Sequence, residues 1–103
     1  MSDQARRLRF VCTGRETHRE QVLAEVVYDP DDLMPVHLAQ PPQVGERWQE
    51  IRAAFLNHGR LPVSCTRCRP RPAVPRQVID GALRRMHPGA TLLVDVSRGA
   101  TLR

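Results

Sequence analysis

The chain has 103 residues, a length that allows one compact domain and excludes two large cores. Apolar residues make up 41% and aromatics 4%, and nine prolines cut the chain into short elements, so the core is small and calls for a staple, either disulfides or a metal. All 16 basic residues are arginine against 11 acids, which gives a net charge of +5 and suits an anionic partner, although a genome rich in G and C also exchanges lysine for arginine throughout.

The first ten residues, Met1 to Phe10, are charged and lack the apolar run of a secretory signal, which predicts a cytoplasmic protein. No stretch approaches the roughly 20 apolar residues that span a bilayer, so no membrane partner is expected. Arg7 to Val11 reads as a strand with Leu8 and Phe10 on one face, ending at Cys12. Beyond the turn at Thr13 and Gly14, the run from Arg19 to Tyr28 carries Val22, Leu23, Val26 and Val27 at a spacing that fits helix or strand. Its valines and tyrosine favour a strand, which closes a hairpin whose tip offers metal ligands.

Asp29 to Gln43 contains Pro30, Pro35, Pro41 and Pro42 and the acids Asp29, Asp31 and Asp32; the connection 29–45 reads as a loop, with Leu33, Met34, Val36 and Leu38 laid over the core. Glu46 to Asn57 is the clearest helix, with Trp48, Ile51, Phe55 and Leu56 on one face and Gly59 as its stop. A short strand, Leu61 to Ser64, leads into a second cysteine turn, Cys65-Thr-Arg-Cys68. Pro75 suits the first turn of a helix to about Met86 that buries Val78, Ile79, Ala82, Leu83 and Met86. His87, Pro88 and Gly89 end it. Thr91 to Val96 alternates Leu92, Val94 and Val96 against Leu93 and Asp95, as a strand with one buried face does.

The whole of 1–103 is thus expected to be a single α+β domain, with a small antiparallel sheet, two packed helices and a basic C-terminal part over 61–103. In that part eight arginines face only Asp80 and Asp95. Arg67, Arg69, Arg71 and Arg76 surround and follow the second cysteine turn, where they can meet a phosphate backbone. No aromatic accompanies them, so base stacking is poorly supported.

Three cysteines are an odd number, and in a reducing compartment they argue against a disulfide framework. A structural zinc site takes four tetrahedral ligands, and closely spaced pairs supply two from one turn. Cys65 and Cys68 form one such pair; Cys12 and His18, across Gly14, form the other. Three cysteines leave the fourth position to a histidine. His18 is favoured because it shares a turn with Cys12, and His58, seven residues before Cys65, is the runner-up. His37 and His87 read as surface or capping residues, His87 as a cation at a helix C-terminus.

Other readings of the same residues are weaker. Three small buried thiols would not sit among prolines and arginines, as Cys65 and Cys68 do. A redox C-x2-C opens a helix, which Pro70 and Pro72 forbid. His18-Arg-Glu20 with Cys65 and Cys68 matches part of a zinc-deaminase pattern, Glu20 being the proton shuttle, but Ser64 stands where that pattern has proline, and Cys12 is left without a role.

The stretch Phe10-Val-Cys12-Thr-Gly14-Arg-Glu-Thr-His18 followed by Cys65-Thr-Arg-Cys68 resembles zinc-ribbon proteins, in which two ligand-bearing turns face each other across a small antiparallel sheet. It also resembles small uncharacterised proteins of actinobacteria and their phages with a C-x-G-R-x-T-H stretch and a later C-x2-C. The resemblance covers the two turns and their flanking strands. It implies Zn2+ held by Cys12, His18, Cys65 and Cys68, and contacts with nucleic acid or the transcription machinery, but no reaction. The expectation is a non-enzymatic module with structural zinc that binds nucleic acid through Arg67, Arg69, Arg71 and Arg76. The alternative partner is a host or cellular protein, and no small-molecule substrate is expected.

Overall fold

Alternation puts Leu8 and Phe10 of the first strand on one face, and β-branched residues carry the second strand of the central hairpin. In the computed structural model, which describes residues 4–33, 35–39, 47–64, 68 and 72–98, strand β1 (Arg6–Cys12) pairs antiparallel with β2 (Gln21–Tyr28). The register opposes Leu8 to Val26 and Phe10 to Ala24, and it shifts between Phe10 and Val11 just before the cysteine. The run that fitted helix or strand by spacing is therefore a strand. Its β-branched residues pack on a pleated surface that β1 already provides.

A third strand, β3 (Val36–Ala39), pairs antiparallel with β2 inside the segment expected to be a loop. The prolines do not prevent it, because Pro35 lies just outside the strand and β3 is at the sheet edge, where a missing ladder donor is tolerated. Val36 and Leu38 pack against the core, as the apolar strip suggested, whereas Leu33 is fully exposed.

Helix α1 (Trp48–His58) buries Trp48, Ile51 and Phe55 and leaves Leu56 exposed. Gly59 terminates it in the left-handed region at φ 64°, and its N–H reaches the carbonyls of Ala54 and Phe55. The strand expected over 61–64 shrinks to β4 (Arg60–Leu61), which forms a two-stranded ribbon with β5 (Val74–Pro75). Helix α2 (Arg76–Arg85) follows at once, so Pro75 flanks the helix in extended conformation instead of standing in its first turn. Its stripe of Ile79, Ala82 and Leu83 is buried.

The last strand, β6 (Thr91–Asp95), lies beside β1 and gives the sheet order β3-β2-β1-β6. This pairing is parallel, so the sheet is mixed and not wholly antiparallel. A connection through two helices returns the chain to the end from which β1 starts, as a hairpin cannot. Val94 and Val96 are buried, but Leu92 at the open edge stays 42% exposed. Residues 96–98 form a single 3-10 turn. The result is a small α+β fold with α1 and α2 packed on the face of the sheet that carries Leu8, Phe10, Ala24 and Val26. Among the described residues no helix is long and apolar enough to cross a membrane.

On the other face Arg9 stands opposite Glu25 in register, and Glu25 is buried. Its carboxylate accepts from Arg7 Nη1 at 2.6 Å and from Arg9 Nε at 2.9 Å. Burial pushes that carboxyl up, but the hydrogen bonds and charges of the two arginines outweigh it and hold it below its ordinary value.

Candidate metal centre

Cys12 is the last residue of β1, and the core buries it completely. The chain then reverses through Gly14, Arg15 and Glu16, all three with positive φ, at 59°, 56° and 72°. Within the turn Thr17 N–H donates to the Gly14 carbonyl and His18 N–H to the Thr13 carbonyl, each at 3.2 Å. This brings His18 back over Cys12, with Nε2 3.7 Å from Sγ. A Cβ on Gly14 would collide with Thr17 Oγ1 and come within 2.6 and 2.8 Å of His18 Cδ2 and Nε2. Only glycine lets the imidazole lie there.

Cys68 arrives from 56 positions further along the chain, partly buried against the core. Its Sγ is 3.7 Å from that of Cys12 and 3.5 Å from His18 Nε2. Zinc bonds of about 2.3 Å to sulfur and about 2.0–2.1 Å to nitrogen give tetrahedral edges of about 3.8 Å between sulfurs and about 3.6 Å between sulfur and nitrogen. The three observed separations, 3.7, 3.7 and 3.5 Å, are of that size. His18 Nδ1–H donates to the Arg19 carbonyl at 2.7 Å, which leaves the Nε2 lone pair toward the sulfurs. Cys12, His18 and Cys68 can therefore hold a metal ion as one group.

Cys65, the fourth ligand expected from the sequence, lies outside the described residues, as do Arg67, Arg69 and Arg71. His58 is exposed at the end of α1, and His87 is exposed in the turn after α2. Among the described residues neither joins the metal group. Glu20 is also exposed and outside it. Arg76 opens α2 with its guanidinium 5.2 Å from the Phe55 ring centroid and Nε 3.7 Å from Asp80.

A second polar cluster abuts the turn, and sequence reasoning missed it. Asp95, at the end of β6, accepts from Thr13 Oγ1 at 2.6 Å and from the N–H and hydroxyl of Ser97 at 3.0 and 2.6 Å. Partial burial raises its carboxyl, but the Ser97 and Thr13 hydroxyls, then their backbone amides, lower it to about 2. The only sequence signal was an acid closing an otherwise apolar strand, 82 residues from Thr13.

No family model, curated protein or solved structure matches the chain.

Proposed function

We propose that the protein is a zinc-stapled, ribbon-like module that binds nucleic acid, its metal being structural. The observation that carries the metal reading is the set of separations of 3.7, 3.7 and 3.5 Å among Cys12, Cys68 and His18. Cys65, three residues before Cys68, completes the tetrahedron in this reading. Thiolate-rich sites favour zinc over harder cations. A closed Cys3His set leaves no open position for substrate or water, so the ion joins the two turns and does no chemistry. That Cys12 belongs to the group, while Glu20 stands apart from it, supports this reading over a deaminase.

The nucleic-acid reading rests on charge. Cys68 lies within the arginine-rich run 65–71, so a metal on Cys68 fixes the base of a segment carrying Arg67, Arg69 and Arg71. Backbone phosphates are the anions such a segment fits. Arg76 is a lesser contributor here, since Phe55 and Asp80 already engage its side chain.

Elemental analysis should find one zinc per chain, and fluorescence anisotropy with a labelled duplex should show affinity that falls linearly on a log–log salt plot. Each phosphate contacted contributes a slope of about −0.9. Reversing Arg67, Arg69 and Arg71 to glutamate should weaken binding at least about tenfold while the zinc stays bound. Zinc without nucleic-acid affinity would move the partner to a protein, and a zinc-free sample would remove the staple itself.

A further inference from the structure

We propose that Asp95 is the positioning residue of the metal turn, holding Thr13–His18 ready for the ion from strand β6. The inference rests on the metal reading above and adds to it a residue that touches no ligand atom. Arg15 and Glu16 occupy the left-handed region, which L side chains with a Cβ adopt at a cost. The bonds within the turn, including Thr17 Oγ1 to the Gly14 carbonyl at 2.6 Å, close it on itself but do not fix it to the sheet.

That anchoring comes from β6 and the residues after it. Val11 and Asp95 are partners in the parallel β1–β6 register, so the Asp95 carboxylate stands beside the place where the chain leaves β1 for the turn. It takes the Thr13 hydroxyl at 2.6 Å and faces the Thr13 N–H at 3.4 Å. It also takes the hydroxyl of Ser97, which is buried. Ser97 in turn grips the strained residue: its Oγ accepts from Arg15 N–H at 3.0 Å and its carbonyl from Arg15 Nε at 3.2 Å. The two carboxylate oxygens thus accept from both Thr13 and Ser97, tying the start of the turn to the end of β6. Hydrogen bonds made to metal ligands are typically worth about 10–100-fold in affinity, and these bonds act on Cys12 and His18 through the turn that joins the two.

The test is zinc affinity measured by competition with a chromophoric chelator, together with the absorption spectrum of the cobalt-substituted protein. Asp95→Ala and Thr13→Val should each lower zinc affinity about 10–100-fold and alter the cobalt bands. The double variant should lose little more than Asp95→Ala alone, because the Thr13–Asp95 bond is already cut there. Ile79→Val, in the core on helix α2 and outside the hydrogen bonds of the turn, should lower the melting temperature and leave zinc affinity unchanged. Wild-type affinity in Thr13→Val overturns the inference even where Asp95→Ala does not fold. Failure of the wild-type protein to bind zinc or cobalt would instead overturn the metal reading, and this inference with it.

Discussion

Two glycines with nearly the same backbone conformation separate local strain from site geometry. Gly14 and Gly59 lie at φ 59° and 64°, so alanine at either costs about 1 kcal/mol in conformation alone. At Gly59 the new Cβ would find, among the described residues, only Arg76 Cβ, at an ordinary 3.8 Å, whereas at Gly14 it would meet the imidazole of His18. Gly59→Ala should therefore lower stability by about 1 kcal/mol and keep its metal. Gly14→Ala should lose at least about tenfold in zinc affinity, as displaced ligands do. Chelator competition on the two purified variants checks this, and equal affinity would detach Gly14 from the site. The sequence marked Gly14 as the residue that lets the chain reverse, but not that the space above it belongs to His18, which depends on where the turn closes.

At the scale of elements, the β1–β2 pair is held on its helix-free face by Glu25 between Arg7 and Arg9. A carboxyl held below its unfolded value stabilises the fold above that value, and the contribution disappears as pH falls through the folded one. Glu25→Gln should cost about 2 kcal/mol near neutral pH, as expected for hydrogen bonds to a charged group. The gap between wild type and variant should close as pH drops below about 4.5, the ordinary glutamate value. Denaturant melts of both proteins across that range check it, and a gap independent of pH would show that the charge is not what Glu25 contributes. β1 and β6 were legible from their alternation, and β2, whose spacing fitted helix or strand, from its valines and tyrosine. Parallel pairing of β1 with β6 was not, since no residue in either strand encodes the strand it lies beside. Nor was β3 visible behind its prolines, because an edge position, where Pro35 is harmless, is a property of the finished sheet.

For the molecule as a whole, Cys12 and Cys68 stand 56 positions apart and meet at 3.7 Å. A link across so long a loop removes much entropy from the unfolded chain. The small core beside it has Phe10, Phe55, Leu8 and Ile79 among its largest buried side chains. Chelation should accordingly lower the melting temperature by at least about 10 °C, since a domain of this size moves roughly 4–8 °C for each kcal/mol. Calorimetry with and without a strong chelator checks the shift, and coincident melts would mean that the sheet and helices stand without an ion.

The sequence alone determined what spacing and residue type can carry: the hairpin strands, the centre of each helix's apolar stripe, the glycine that ends α1, and Cys12, His18 and Cys68 as candidate ligands. These are short-range facts, written in periods of two or about 3.6 residues and in turns a few residues long. Only the tertiary structure decided that β6 runs parallel to β1, that Asp95 reaches Thr13 across 82 residues, and that two sulfurs and one imidazole nitrogen meet within 3.7 Å of one another. Those relations depend on which strands become neighbours once the helical crossover is packed. Burial of a shared core selects that arrangement, and no local pattern records it.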